Sequence, residues 1–303
     1  MEFIVAFPLI QTGKQDTAGS VYTRSRFMPD ETTNQTGFAQ VNDARLYYES
    51  AGAGSPLVLI HAGIADSRMW DDQFAVFARH YRTLRYDMRG FGQSPPQHTA
   101  YTHRGDLYQL LKSQGIERAH LMGCSKGGMV ALDFTIEHPE MVAGLVLVAS
   151  SVSGYEFTGS LPKQWTDIVA AMQARNYELA SELEVQIWVD GQFRTAGQVD
   201  AAIRDKVRAM NLIALQNDSG DTPREKPLDP PAMENLNIVQ HPVLIITGDL
   251  DDPNIVMAGE VLAGRLAHAQ KKVISGTAHL PNMEQPAVFN QIVLDFLQSL
   301  DGK

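Results

Sequence analysis

From Ala44 onward, short apolar runs alternate with longer stretches in which apolar residues recur every three or four positions. After a strand-like ARLYYES (44–50) come PLVLIHA (56–62), YRTLRYD (81–87), RAHLMG (118–123), AGLVLVAS (143–150), PVLIITG (242–248) and KKVISG (271–276). Short apolar runs bounded by Gly and turn residues suit strands buried on both faces. Helix-length amphipathic segments fill most gaps: Met69 to Arg79, Arg104 to Ser113, Lys126 to Glu137, Ile255 to Ala267 and Pro286 to Leu300. This alternation predicts an α/β architecture, with βαβ units and a mostly parallel twisted sheet flanked by helices.

The alternation stops from about Ser151 to Asn235, where the period is helical. Trp165, Ile168, Val169 and Met172 share one face, as do Leu179, Leu183 and Ile187, and then Val199, Ile203, Val207 and Met210. A turn-rich DSGDTPREKPLDPP (218–231) closes the segment. Helices inserted between two strands predict a helical cap over the strand ends, about residues 151–235. Trp165, Trp188 and Phe193 face either a cavity under that cap or the cap's own core, and the sequence does not choose. Upstream, Gln11 to Thr36 is polar without period, so residues 1–36 read as an N-terminal tail and 37–303 as the main domain. Met28 opens a polar leader, MPDETTNQTG, which makes residues 1–27 a candidate upstream extension.

Composition narrows the function classes. The 303 residues carry 25 Lys+Arg against 35 Asp+Glu, a formal charge of −10, and no basic run. Such a chain repels phosphate backbones and anionic headgroups, which argues against nucleic acid or a membrane as the main partner and for a small molecule. The apolar run Phe3 to Ile10 is too short to span a bilayer, and Glu2 stands where a signal peptide carries a cation. With Cys124 as the single cysteine no internal disulfide forms, and a cytoplasmic location is expected. No grouping has zinc-ligand spacing, and DLDDPN lacks the EF-hand pattern, so cofactor-free chemistry is expected.

One segment carries chemistry. Gly123-Cys124-Ser125-Lys126-Gly127 is the G-x-S-x-G of the chain, and it follows a predicted strand and opens a predicted helix. A sharp strand-to-helix turn lifts a serine hydroxyl clear of the sheet, and glycines flank it because a Cβ there would clash. Ser125 is the candidate nucleophile; the plainer alternative is a helix N-cap. A neutral hydroxyl needs a base and the base an orienting acid, in the chain order Ser, acid, His on this kind of sheet. Of the nine histidines, His268 and His279 lie late enough. His268 ends a helical pattern, whereas His279 follows the last strand, where a loop can hang over the strand ends. For the acid, Asp249, Asp251 and Asp252 all follow PVLIITG, and spacing does not choose among them.

GCSKG, GDLD and HLPNMEQP, together with LIHAG (59–63) and YDMRGFGQS (86–94), resemble the α/β-hydrolase superfamily over about Gly37 to Leu300. The resemblance implies the catalytic triad Ser125, Asp251 and His279, with Asp251 selected by the family's G-x-x-D. It makes Asp87, Arg89, Gly90, Gly92 and Ser94 a scaffold turn. It implies backbone oxyanion donors at Lys126 and Gly63, with Ala62 as the alternative because His61-Ala62-Gly63 departs from the family's His-Gly-x. Lys126 is also a departure: a cation at a helix N-terminus opposes the helix dipole, and either an acidic partner or a substrate anion compensates it. Cys124 reads as core. The implied function is that of a serine hydrolase cleaving a small carboxylic ester or lactone, in the style of enol-lactone hydrolases. Carbon–carbon bond hydrolysis, perhydrolysis and aminopeptidase activity use the same triad, and a slow-turnover ligand-binding member is the alternative of another class. A Ser rather than an Asp nucleophile argues against dehalogenase and epoxide-hydrolase chemistry.

Overall fold

Eight strands form one sheet in the order β1-β2-β4-β3-β5-β6-β7-β8 in the computed structural model, which describes residues 34–96, 99–218 and 225–301. The strands are β1 (Gln35–Val41), β2 (Ala44–Ala51), β3 (Pro56–Ile60), β4 (Arg82–Tyr86), β5 (Ala119–Cys124), β6 (Val142–Val148), β7 (Val243–Gly248) and β8 (Ala269–Ile274). β1, β2 and β4 pair antiparallel, and every pair from β4 through β3 to β8 is parallel. The seven expected strands are present within a few residues of their predicted ends. β1 is additional and begins at Gln35, inside the segment read as tail. It is one arm of a hairpin whose turn places Asn42 at φ 49°, and only Ala39 and Val41 are buried, so its pattern is weak. The candidate start at Met28 lies outside the described residues.

Alternate residues of the central strands feed two apolar layers. Val58 and Ile60 of β3 pack towards α2 (His103–Ser113), α3 (Lys126–Glu137) and α8 (Pro253–Arg265). Leu57 and Leu59 face α1 (Asp71–Phe77) and α10 (Pro286–Asp301) on the other side. Full burial on both faces is what gave these strands continuous apolar runs.

Between β6 and β7 lie α4 (Trp165–Gln173), α5 (Tyr177–Val185), a π-helical turn (Gln186–Asp190), α6 (Ala201–Asn217) and the short α7 (Ala232–Asn235). α9 (Pro281–Glu284) follows β8. Helices thus fill the stretch in which a cap is expected, but their apolar faces are only half buried. Ile168, Val207 and Met210 are interior, whereas Trp165, Val169 and Leu179 are 42–45% exposed. α4 packs chiefly on α5 and α5 on α6, so α4 buries the narrow stripe Ile168 and Ala171 rather than the full periodic face.

The chain leaves and re-enters the sheet through one stitch. Ser153 Oγ donates to Asp133 Oδ1 (2.7 Å) and accepts from Ala232 N–H (2.9 Å), while Met233 N–H donates to Ser153 O (3.0 Å). Asp133 on α3 thus anchors both necks of the insertion. Burial pushes its carboxyl up to about 6, with the Ser153 hydroxyl opposing the shift. Because the folded chain holds this proton more tightly than the unfolded one, stability falls as pH rises from about 4 to about 6, and the penalty persists above. Asp133→Asn keeps an acceptor for Ser153 and removes the penalty. It is expected to be more stable than the parent by about 1–3 kcal/mol at pH 8 and no more stable at pH 4. Urea denaturation at both pH values measures this; a variant without advantage at pH 8 contradicts it.

Candidate active site

β5 stops at Cys124 and α3 starts at Lys126, leaving Ser125 to make the whole reversal at φ 52°, ψ −115°. This left-handed region costs an L-residue roughly 1–2 kcal/mol, and the surroundings enforce it. A Cβ at Gly123 would overlap Gly127 O, and one at Gly127 would overlap the carbonyls of Ile60 and His61, so only glycines let helix, turn and β3 close up. Ser125 N–H is fixed on Val148 O (2.8 Å). The serine is half-buried, and Cys124 below it is wholly buried with its thiol pushed well up by burial. Cys124 is core, as expected.

β7 and β8 are adjacent and parallel, and Gly248 pairs with Ile274, so the loops that leave them run side by side. Asp251 from the first loop and His279 from the second meet there, both 2% exposed, with Nδ1 2.9 Å from Oδ2 and 3.0 Å from Oδ1. Asp251 Oδ1 also accepts Asp252 N–H (2.7 Å). The three competing carboxylates have separate tasks. Asp249 accepts from Ser275 Oγ (2.6 Å) and Gly276 N–H (2.7 Å), bonds that lower its pKa and pin the start of the histidine loop. Asp252 caps α8 through Asn254 N–H (2.8 Å). His268 is exposed beyond the end of α8. The Cys124 thiol lies 3.7 Å from His279 O, so the serine turn and the histidine loop adjoin. Ser125 Oγ itself makes no hydrogen bond among the described residues.

β3 leads into His61-Ala62-Gly63. Met88 N–H, a donor only, points at His61 Nε2 (2.9 Å), so the ring proton sits on Nδ1 and is donated to Ala62 O (2.8 Å). Burial holds His61 below the ordinary imidazole range and keeps it in this neutral form. Ala62 N–H is engaged by the Met69 thioether (3.2 Å). Gly63 N–H and Lys126 N–H donate to no protein group among the described residues. They belong to neighbouring segments, since a Cβ built on Gly63 would stand 3.6 Å from Lys126 Cβ. Of the two donors left open by the sequence, Gly63 is the one with a free amide. Lys126 Nζ pairs with Glu225 at 3.2 Å, which supplies the acidic partner its helix-terminal charge requires. The scaffold turn is built as expected: Asp87 accepts Ser67 and Gln93 N–H (2.8 and 2.7 Å), and Arg89 forks onto Asp106 (2.9 and 2.8 Å).

Three contributors escaped sequence reasoning. Trp188, one of three aromatics left unassigned, lies with its ring centroid 4.6 Å from that of His279, and its carbonyl accepts His279 N–H (3.3 Å). Trp165 and Phe193 are largely exposed instead. Met69 and Glu225 reach the site from segments with no motif. A polar cleft of about 770 Å³ runs beside the acid loop, between the chain around Leu161, the turn around Gly191 and the start of α8 at Asp252 to Asn254. Among the described residues no three His, Cys, Asp or Glu side chains could jointly hold a metal ion, and no helix is long and apolar enough to cross a membrane.

The profile of a family described as alpha/beta hydrolase fold matches residues 55–286. The chain is 26% identical to a pimeloyl-(acyl-carrier protein) methyl ester esterase of Yersinia enterocolitica, over 84% of this chain and 98% of that one. It is 28% identical to a 2-hydroxymuconate semialdehyde hydrolase of a Pseudomonas species, over 85% and 92%. The crystal structure of the enol-lactonase from Burkholderia xenovorans superposes with a TM-score of 0.71 at 23% identity, covering 86% of this chain and 100% of that one.

The His61 clamp generates a prediction. His61→Leu leaves Met88 N–H buried without an acceptor and is expected to cost about 1–3 kcal/mol. It should lower the urea midpoint at pH 7.5 with an unchanged slope; an unchanged midpoint would show that the clamp carries no stability.

Proposed function

Because the chain belongs to the α/β-hydrolase fold family, we propose that it is a serine hydrolase that cleaves a small carboxylic ester or lactone through an acyl-enzyme intermediate. The observation that carries this reading is the buried His279–Asp251 pair at the strand ends adjoining the strained Ser125 turn. Ser125 Oγ attacks the carbonyl carbon and passes its proton to His279 Nε2, while Asp251 holds Nδ1–H and stabilises the imidazolium. The carbonyl oxygen becomes an oxyanion, accepted by the amides of Gly63 and Lys126. Collapse of the tetrahedral species expels the alcohol, which takes the proton from His279. Water then gives a proton to His279 and attacks the acyl-enzyme, releasing the acid and restoring Ser125. The helices between β6 and β7 act as the lid that shapes the substrate cavity.

Relatives named as an esterase and as an enol-lactonase, at 26% and 27% identity, support a small ester or lactone as substrate. The semialdehyde hydrolase relative supports carbon–carbon cleavage as the second reading, since the same serine, base and oxyanion donors serve it.

Ser125→Ala is expected to lower kcat/KM for short p-nitrophenyl esters by at least about 1,000-fold with an unchanged circular dichroism spectrum, and to abolish labelling by a fluorophosphonate. Retained turnover refutes the assignment. In the parent, kcat/KM for matched esters and lactones should exceed that for a vinylogous diketone; the opposite order replaces ester hydrolysis by carbon–carbon cleavage.

A further inference from the structure

Resting on the reading of His279 as the general base, we propose that Arg194, from the inserted helical layer, is a positioning residue for that base. Its guanidinium joins two segments. Towards its own, Nε donates to Asp190 O (2.9 Å) and Nη2 to Val189 O (2.7 Å). Towards the histidine loop, Nη1 donates to Gly276 O (3.2 Å) and to Glu284 Oε2 (2.5 Å). The two side chains are 11% and 8% exposed, so the pair is shielded from water and salt.

The far end of this link reaches the peptide preceding the base. Glu284 Oε1 accepts Ala278 N–H (2.7 Å), and the next amide, His279 N–H, goes to Trp188 O (3.3 Å) in the same turn that Arg194 grips. Gly191, at φ 70°, lets that turn lie on the acid and histidine loops together, since a Cβ there would crowd Leu250 O and Ala278 Cβ. Two successive amides of the histidine loop are therefore held by groups of the insertion, one directly and one through Arg194 and Glu284. Asp251 fixes the ring at Nδ1; Arg194 fixes the backbone that carries the ring.

Arg194 is not required to fold the turn itself. The Asp190 carboxylate is held by Arg204 (2.7 and 3.2 Å), Arg204 also binds Glu182 (2.7 Å), and Ile187 and Val189 are buried. What Arg194 adds is the connection to the histidine loop. Without it, Glu284 keeps a buried charge with no counter-ion, and Trp188 is free to withdraw from the imidazole. Because the imidazole is displaced rather than removed, the proposed loss falls on kcat.

The test uses Arg194→Met, Arg194→Lys and Glu284→Gln in a Trp70→Phe, Trp165→Phe background, where Trp188 is the single remaining indole of three. An imidazole packed against an indole quenches its fluorescence more strongly when protonated, so the pH-dependent part of Trp188 emission reports how closely the two rings are held. Arg194→Met is expected to lower kcat for a p-nitrophenyl ester by about tenfold or more with KM within about twofold, and to shrink the pH-dependent quench. Arg194→Lys, which keeps the charge but not the fork, should recover part of both; Glu284→Gln should resemble Arg194→Met. If Arg194→Met fails to fold, the other two variants decide in the same way. Parent-like kcat, or a fall in kcat with the quench intact, overturns the proposal. If the parent hydrolyses no ester, the ester reading fails on its own, and the fluorescence arm, which needs no substrate, still decides Arg194.

Discussion

The hydrogen bond between His279 Nδ1 and Asp251 sets the terms for everything around it. Two side chains from separate loops, both removed from water, have to meet within 3.0 Å. A carboxylate buried at this depth is tolerable only when its oxygens are satisfied, and Asp251 has the imidazole and Asp252 N–H to do so. The meeting depends on sheet register. β7 and β8 are parallel and in step through Gly248 and Ile274, so their loops leave together on one side. β3 and β5 are likewise in step through Ile60 and Gly123, which brings the Gly63 segment beside the Ser125 turn. A parallel sheet gathers its strand ends on one edge, which is why ligands bind there in such folds.

What was legible in the sequence followed from short-range physics. Strands buried on both faces wrote themselves as apolar runs, and the glycines around Ser125 marked a turn with no room for a Cβ. The three carboxylates after β7 were legible as a group, but choosing among them took contact geometry or family likeness, because all three can sit in one acidic loop. β1 was missed since an edge strand with one buried face leaves only Ala39 and Val41 as signal. The outer cap helices misled because amphipathic period shows where an apolar face is, not whether a neighbour covers it. Glu225, Met69 and Arg194 were invisible for another reason: their roles come from contacts across 99, 7 and 90 positions, between segments that carry no periodic mark.

The strained serine and the neutral histidine clamp are two halves of one arrangement. Ser125 is held at positive φ by packing that its flanking glycines permit, and the same close approach presses Gly127 onto the carbonyls of Ile60 and His61. That contact would be lost if the segment after β3 drifted. His61 prevents the drift by tying Met88 N–H to Ala62 O with a ring kept uncharged by burial. An imidazolium would present a second donor to Met88 N–H and break the clamp, so low pKa at His61 and order in the Gly63 segment are the same requirement.

Charge around the site is balanced locally even though the chain is acidic. Lys126 is matched by Glu225 and Arg194 by Glu284, so neither cation presents a free charge to the space between Gly63 and Ser125. In the proposed reaction the developing oxyanion therefore relies on amide dipoles rather than on an ammonium. Dipoles fixed by a helix terminus and by a clamped loop need no reorganisation when charge appears, which is where preorganised sites gain most. A mobile lysine would have to be desolvated and reoriented in each turnover. Pairing with Glu225 matches the lysine's charge at its helix-terminal position, and in the proposed reaction the backbone amide of the same residue meets the oxyanion.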